Sequence, residues 1–217
     1  MVETAITPEA PAPTETLKKE LQVLEFRPQF GEGREELSDG GYYEGSFRFG
    51  KREGPGVLVY NVDSGERYEG QFRSDCLDGD GKKLWPDGTV YEGQWKAGRK
   101  DGEGVLTETK ARSYKGQWKD GKRHGIGTQT LDGESRYEGR WENGLQHGTG
   151  RYYDLRQETV YEGQWSCGAH HGRGLLRSKG GAREKLAYTH GMLTAREEMP
   201  LPKAYPPIPR SPQRPGE

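Results

Sequence analysis

At 217 residues the chain has room for one or two domains, but only 29% of it is hydrophobic and 31% is charged, which excludes an ordinary two-layer globule with a large core. Its 33 lysines and arginines nearly balance 34 aspartates and glutamates, and the resulting net charge of −1 gives no overall pull toward nucleic acid or anionic membrane. Two cysteines, Cys76 and Cys167, are too few for a disulfide scaffold, and no apolar run has the length of a signal peptide or membrane span, so a soluble protein of a reducing compartment is expected.

The chain begins with residues 1–19, which have no periodicity and three prolines before Thr16; this segment is expected to be disordered or held by a partner. The stretch TLKKELQVLEF, residues 16–26, fits either a short helix with Leu17, Leu21 and Leu24 on one face or a degenerate first strand. Residues 20–42 form a degenerate first repeat or cap, with Gly31 and Gly33 of FGEG standing where later units carry a paired glycine motif.

Six units then follow over residues 43–183, opening at Tyr43, Tyr68, Tyr91, Tyr114, Tyr137 and Tyr161, with spacings of 25, 23, 23, 23 and 24 residues. Two residues after each tyrosine stands a glycine (Gly45, Gly70, Gly93, Gly116, Gly139, Gly163), and two further on an aromatic (Phe47, Phe72, Trp95, Trp118, Trp141, Trp165). A G-x-G pair closes each motif, from Gly54 and Gly56 to Gly172 and Gly174. On a strand, Tyr91, Gly93 and Trp95 share one face while Glu92 and Gln94 share the other. A glycine between two rings leaves a slot that rings of an adjacent strand can cover. KAGR and KDGK supply turn residues, the G-x-G segment starts a returning strand, and PDGT leads into the next unit, so each unit is predicted to be a β-hairpin. Hairpins set side by side share their aromatic face and make an elongated ribbon, about 60 to 70 Å long at about 4.8 Å per strand.

A terminal half-repeat is expected over 184–191, with Tyr188 at the aromatic position and Gly191 at the turn. Residues 192–217 are assigned to a Pro-rich extended tail, because seven prolines fall from Pro200 onward and PPIP satisfies P-x-x-P spacing. Both a free tail and one docked along a partner fit this composition.

No catalytic or metal site and no cofactor is expected. His124, His147 and His171 recur just before the G-x-G pair, but equivalent residues of neighbouring units stand about 10 Å apart, too far to share one zinc ion. Earlier units carry Glu53, Asp78 and Asp101 there, which points to a polar turn role. His170 and His190 lack a second ligand at useful spacing, and Cys76 and Cys167 fit ordinary thiols in separate turns. GEGVL and GIGTQ lack the third glycine, helix and downstream acid of a dinucleotide fingerprint. The regular aromatics fit packing better than a nucleic-acid stacking platform. Lys51, Arg52, Arg99, Lys100, Lys122 and Arg123 recur in the hairpin turns and form a candidate basic contact edge, interrupted by acids such as Asp75 and Asp120.

The units resemble MORN repeats, whose pattern Y-E-G-x-[WYF]-x-x-G-x-x-x-G-x-G is met almost throughout; Lys115 in place of the usual glutamate and Asp75 in place of the turn glycine are the clearest departures. This resemblance implies an all-β fold, an elongated single-layer antiparallel sheet of successive hairpins with flexible N- and C-terminal extensions, serving as a scaffold. YEGSFRFGKREGPG, the small size and the Pro-rich tail are similar to the small MORN proteins of radial spoke heads in cilia and flagella. That likeness implies a non-enzymatic structural subunit in the axoneme, a cytoskeletal location in the cytoplasm, and other spoke head proteins as partners, including another MORN-repeat subunit. The alternative is a membrane-apposed adaptor whose basic turns bind anionic phospholipid; an accessory domain of an enzyme is a third. A single layer this poor in apolar residues is also expected to leave aromatic surface open for a partner.

Overall fold

The computed structural model describes residues 27–200. They form fifteen strands: β1 (Phe30–Glu36), β2 (Tyr42–Arg48), β3 (Lys51–Asn61), β4 (Glu66–Arg73), β5 (Cys76–Leu84), β6 (Val90–Lys96), β7 (Arg99–Thr109), β8 (Arg112–Lys119), β9 (Lys122–Thr130), β10 (Ser135–Glu142), β11 (Leu145–Asp154), β12 (Thr159–Ser166), β13 (Ala169–Ser178), β14 (Arg183–Thr189) and β15 (Met192–Met199). All fifteen lie in one open sheet in sequence order, with every neighbour antiparallel. There is no α-helix among the described residues. The all-β single layer of successive hairpins implied by the resemblance is therefore what the chain adopts.

The two long edges differ because their connections differ. One edge carries two-residue turns in which both residues take positive φ, as in Ala97 (46°) with Gly98 (77°) and Asp120 (49°) with Gly121 (80°). This is the mirror-image turn whose twist matches that of paired strands, and glycine at its second position carries no steric penalty. Asp75 replaces that glycine at φ 68°, and its Oδ1 accepts a hydrogen bond from the Arg52 amide at 3.1 Å, anchoring the exception. The opposite edge carries the longer loops, such as the PDGT loop between Trp85 and Thr89, where the Trp85 amide donates to the Thr89 carbonyl at 2.9 Å.

Register is pinned by glycine facing glycine. Gly93 stands opposite Gly81 on one side and Gly104 on the other, and Gly116 opposite Gly104 and Gly127. Within each of the six repeat hairpins the pairing then slips: Gly93 faces Gly104, yet Trp95 faces Lys100, so the returning strand carries two extra residues. The slip takes in the first glycine of each G-x-G, where Gly102 has φ 97° and Gly125 φ 60°.

Both ends differ from the sequence expectation in extent. Residues 192–199, assigned above to the tail, form β15 and pair with β14, so 184–191 belongs to a full final hairpin rather than a half-unit. Pairing needs backbone groups rather than the motif: here Glu184 replaces the tyrosine and Arg196 the second glycine, and the two side chains join in an ion pair at 2.6 Å. At the other end β1 is the returning strand of an incomplete unit, and Gly33 faces Gly45 as expected. The candidate helix or strand over 16–26 and the prolines after Pro200 lie outside the described residues.

Candidate functional site: the aromatic face and the turn edge

The tyrosine that opens each unit sets the geometry of the whole face. Its ring lies along its own strand, over the glycine two residues on and over the glycine opposite. A Cβ built on Gly104 would stand 2.3 Å from the Tyr91 hydroxyl, and one on Gly93 would meet the Gly104 Cα at 2.4 Å. The hydroxyl donates to the carbonyl three residues downstream: Tyr91 to Gln94, Tyr68 to Gln71 and Tyr43 to Ser46, each at 3.0 Å. The glycine slot is thus filled by the unit's own tyrosine, not chiefly by rings of an adjacent strand as the sequence suggested. The tyrosine can reach it because Gly93 and Gly104 both lack a side chain on that face.

The second aromatic packs edge-on against this ring and against the tyrosine of the preceding unit. Tyr91 meets Trp95 at 5.0 Å and Trp118 at 5.4 Å, with interplanar angles of 90° and 85°. The same contacts run unbroken through Phe47, Tyr43, Phe72, Tyr68, Trp95, Tyr91, Trp118, Tyr114, Trp141, Tyr137, Trp165, Tyr161 and Tyr188. The Trp118 indole N–H donates to the Gly104 carbonyl of the hairpin before it at 3.3 Å, and Trp141 does the same to Gly127 at 3.2 Å. Edge-to-face geometry places positive ring edges on negative ring faces.

For the ladder rings this tiling overturns the expectation of exposed aromatic surface, although Phe30 and Phe49, outside the ladder, stay exposed. Tyr91 and Tyr114 are 0% exposed, Trp118 5% and Trp141 3%, with no second layer above them among the described residues. Rings lying flat over glycine backbone and overlapping at their edges hide one another. Burial accordingly holds the tyrosine hydroxyls protonated: those of Tyr43, Tyr137 and Tyr161 are pushed up to about 12, and those of Tyr68, Tyr91 and Tyr114 further.

The basic edge is also not what the turn sequences imply. Consecutive residues point to opposite faces, so each basic pair divides. Lys51, Arg99 and Lys122 are exposed at the turns. Arg52, Lys100 and Arg123 turn onto the rings: Arg52 lies 5.1 Å from the Tyr43 centroid and pairs with Glu35 at 2.9 Å, while the Lys100 ammonium stands 4.3 Å above Trp118. Arg123 is stacked 5.3 Å from Tyr114 and 5.2 Å from Trp141. Burial lowers the pKa of both Lys100 and Arg123. Of the exposed three, Arg99 is already engaged by Asp120 at 3.3 Å.

Histidines occupy three kinds of place, His190 lying in the turn between β14 and β15. The acids that precede them in register accept from the next turn: Glu53 from the Ser74 amide at 2.9 Å, Asp78 from Ala97 at 3.2 Å and Asp101 from Asp120 at 3.1 Å. His147, at that position, lies 3.3 Å from Glu142. His170 instead takes the place held by Lys100 and Arg123, 4.2 Å from both Tyr161 and Trp165, where burial lowers its pKa.

Two recurrent contacts escaped the sequence reading. Each turn glycine donates to a carbonyl of the previous hairpin, as in Gly98 to Leu77 (2.9 Å), Gly121 to Lys100 (2.8 Å) and Gly144 to Arg123 (2.9 Å), which stacks the turns into a second ladder. The glutamine before the second aromatic accepts from the residue inside G-x-G, Gln94 from Glu103 (2.9 Å) and Gln117 from Ile126 (3.0 Å). Its recurrence in YEGQW was the available signal.

A model of the MORN repeat matches residues 43–63, 68–90, 91–107, 114–133, 137–154 and 161–183, every one of the six units. Among curated proteins, none matches the chain.

Proposed function

Because the chain belongs to the MORN-repeat family, we propose that it is a non-enzymatic scaffold subunit, and that the assembly it serves is the radial spoke head of a ciliary or flagellar axoneme. The observation that carries the scaffold reading is the unbroken register: one aromatic ladder and one stack of turns run from the first hairpin to the last, fixing every surface position relative to every other. A stiff ribbon of this kind suits a strut within a larger assembly.

Since the rings are sealed, partners meet the polar face, the turn edge or the chain ends rather than the ladder. The polar face offers alternating charge, as in Lys82 paired with Glu92 at 3.4 Å and Arg151 with Glu162 at 3.2 Å, among exposed apolar positions such as Ile126. The proposed partners are other spoke head proteins, including a second MORN-repeat subunit. The axonemal assignment rests on the likeness of YEGSFRFGKREGPG, the small size and the Pro-rich tail to spoke head proteins.

The test is retention of the tagged protein in detergent-extracted axonemes. Removing residues 201–217, beyond the end of β15, is expected to weaken incorporation while leaving the sheet intact. Absence from axonemes, with salt-sensitive co-sedimentation on anionic liposomes, would favour the membrane adaptor instead.

A further inference from the structure

The array begins on a strand that lacks one neighbour. β1 is a returning strand, the counterpart of β7 in the third unit, and its outer edge pairs with nothing among the described residues. In a complete unit that edge is taken: Gly93 of β6 faces Gly104 of β7, Glu92 faces Val105, and Tyr91 faces Leu106 while its ring covers Gly104. Gly33, Arg34 and Glu35 hold the places of Gly104, Val105 and Leu106, since Gly33 faces Gly45 as Gly104 faces Gly116. A Cβ on Gly93 would meet the Gly104 Cα at 2.4 Å, so a strand completing the unit needs glycine opposite Gly33. It also suits an acid opposite Arg34.

Pro28 narrows the choice. It already lies over Gly33, where a Cβ would stand 2.3 Å from the proline Cγ, just as one on Gly104 would stand 2.3 Å from the Tyr91 hydroxyl. The place of the covering ring is thus filled from within the chain, and a neighbouring strand with a tyrosine two residues before its glycine does not fit.

We propose that the missing neighbour is β1 of a second copy of this chain, antiparallel about a two-fold axis that passes between the two Gly33 residues perpendicular to the sheet. Gly31, Glu32 and Gly33 of that copy take the places of Tyr91, Glu92 and Gly93, with glycine where the tyrosine is unwanted. Glu32 of each copy then faces Arg34 of the other, and both are exposed residues of the polar face. Arg34 gives its Nε to Glu36 at 2.6 Å and reaches Glu44 from Nη1 only at 3.8 Å, so donors remain for another acid. The axis keeps both aromatic faces on one side, which restricts the register to steps of two residues. One step either way opposes Glu32 to Glu32 or Arg34 to Arg34, which like charge disfavours. The two sheets become one ribbon with the C-terminal hairpins at its far ends. This inference does not depend on the axonemal assignment.

A single strand pair buries little area, so a weak, concentration-dependent dimer is expected. Sedimentation of the full chain up to about 1 mM, together with small-angle scattering, tests it. The wild type is expected to form a dimer roughly twice the monomer's length. Glu32→Arg alone sets arginine against arginine and Arg34→Glu alone sets glutamate against glutamate, so each is expected to weaken self-association roughly tenfold. Mixed one to one, the two variants bring opposite charges together at both positions and are expected to regain wild-type association, which also shows that both are folded. A wild type monomeric at every concentration would overturn the proposal and leave the edge to a different partner. So would a dimer indifferent to both substitutions, variants that the mixture fails to rescue, or a dimer no longer than the monomer.

Discussion

Gly104 has no room for a methyl group, because the Tyr91 ring occupies the place a Cβ would take. Gly104→Ala must displace a fully buried ring, and a loss of about 1 to 3 kcal/mol is expected in denaturant melts, the usual cost of overpacking. Gly116→Val, whose Cβ would stand 2.5 Å from the Gly127 Cα, is expected to cost at least as much. Trp118→Ala removes two edge-to-face contacts and an indole hydrogen bond, and an unfolding loss of about 3 to 5 kcal/mol is expected, as for other buried tryptophans. The tyrosines also predict a pH dependence. Their folded pKa lies above the ordinary value of about 10, so between that value and about 12 the unfolded chain holds fewer protons than the folded one. Stability is therefore present in full below pH about 10 and falls as pH rises. Urea midpoints at increasing alkaline pH check this, and tyrosinate absorbance of the ladder should appear at higher pH in the folded chain than in the unfolded one. At this scale the ladder residues and glycines were legible in the sequence, because steric demand makes Tyr91, Gly93 and Trp95 recur together. The orientation of Lys100 and Arg123 was not, since that needs the phase of the returning strand after its two-residue slip.

One hairpin is the smallest unit that can be removed without inverting the sheet. Deleting residues 114–136 joins Ser113 to Tyr137 and brings Trp141 to the place Trp118 held against Tyr91, so the shortened chain is expected to fold cooperatively. Small-angle scattering should show the particle shorter by about 10 Å, two strand spacings. Removing one strand alone would force its neighbours into parallel pairing across a loop too short to permit it, and that variant is expected to lose its sheet signal. Hairpins and their glycine-to-glycine register could be foreseen because turn and strand chemistry are local. The stacking of Gly98, Gly121 and Gly144 on the hairpin before could not, since the accepting carbonyls belong to Leu77, Lys100 and Arg123, about twenty residues back and outside any motif. β15 was missed for a related reason: Arg196 and Glu184 replace the signature residues, and only backbone pairing remains to mark the strand.

Across the whole molecule, the strands lie side by side in sequence order, with the first and last at opposite ends of the array. Hydrogen bonds in an antiparallel pair run perpendicular to the strands, so they lie along the ribbon's length. Tension applied between the two ends therefore pulls on each row of bonds in the direction that opens it, and since the rows are in series each bears the same load and the weakest opens first. The protein should yield as a zipper does, one hairpin after another from the weakest row, and not in a single rupture. In an optical trap this appears as a low-force sawtooth, each step releasing about 80 Å of chain, the extended length of some 23 residues. Bending across the ribbon meets the opposite response, because it compresses rings already in contact from Phe47 to Tyr188. Joined within a larger assembly, such a part transmits sideways thrust while letting out slack under axial strain, and recovers its length by re-pairing from the hairpins that stayed closed.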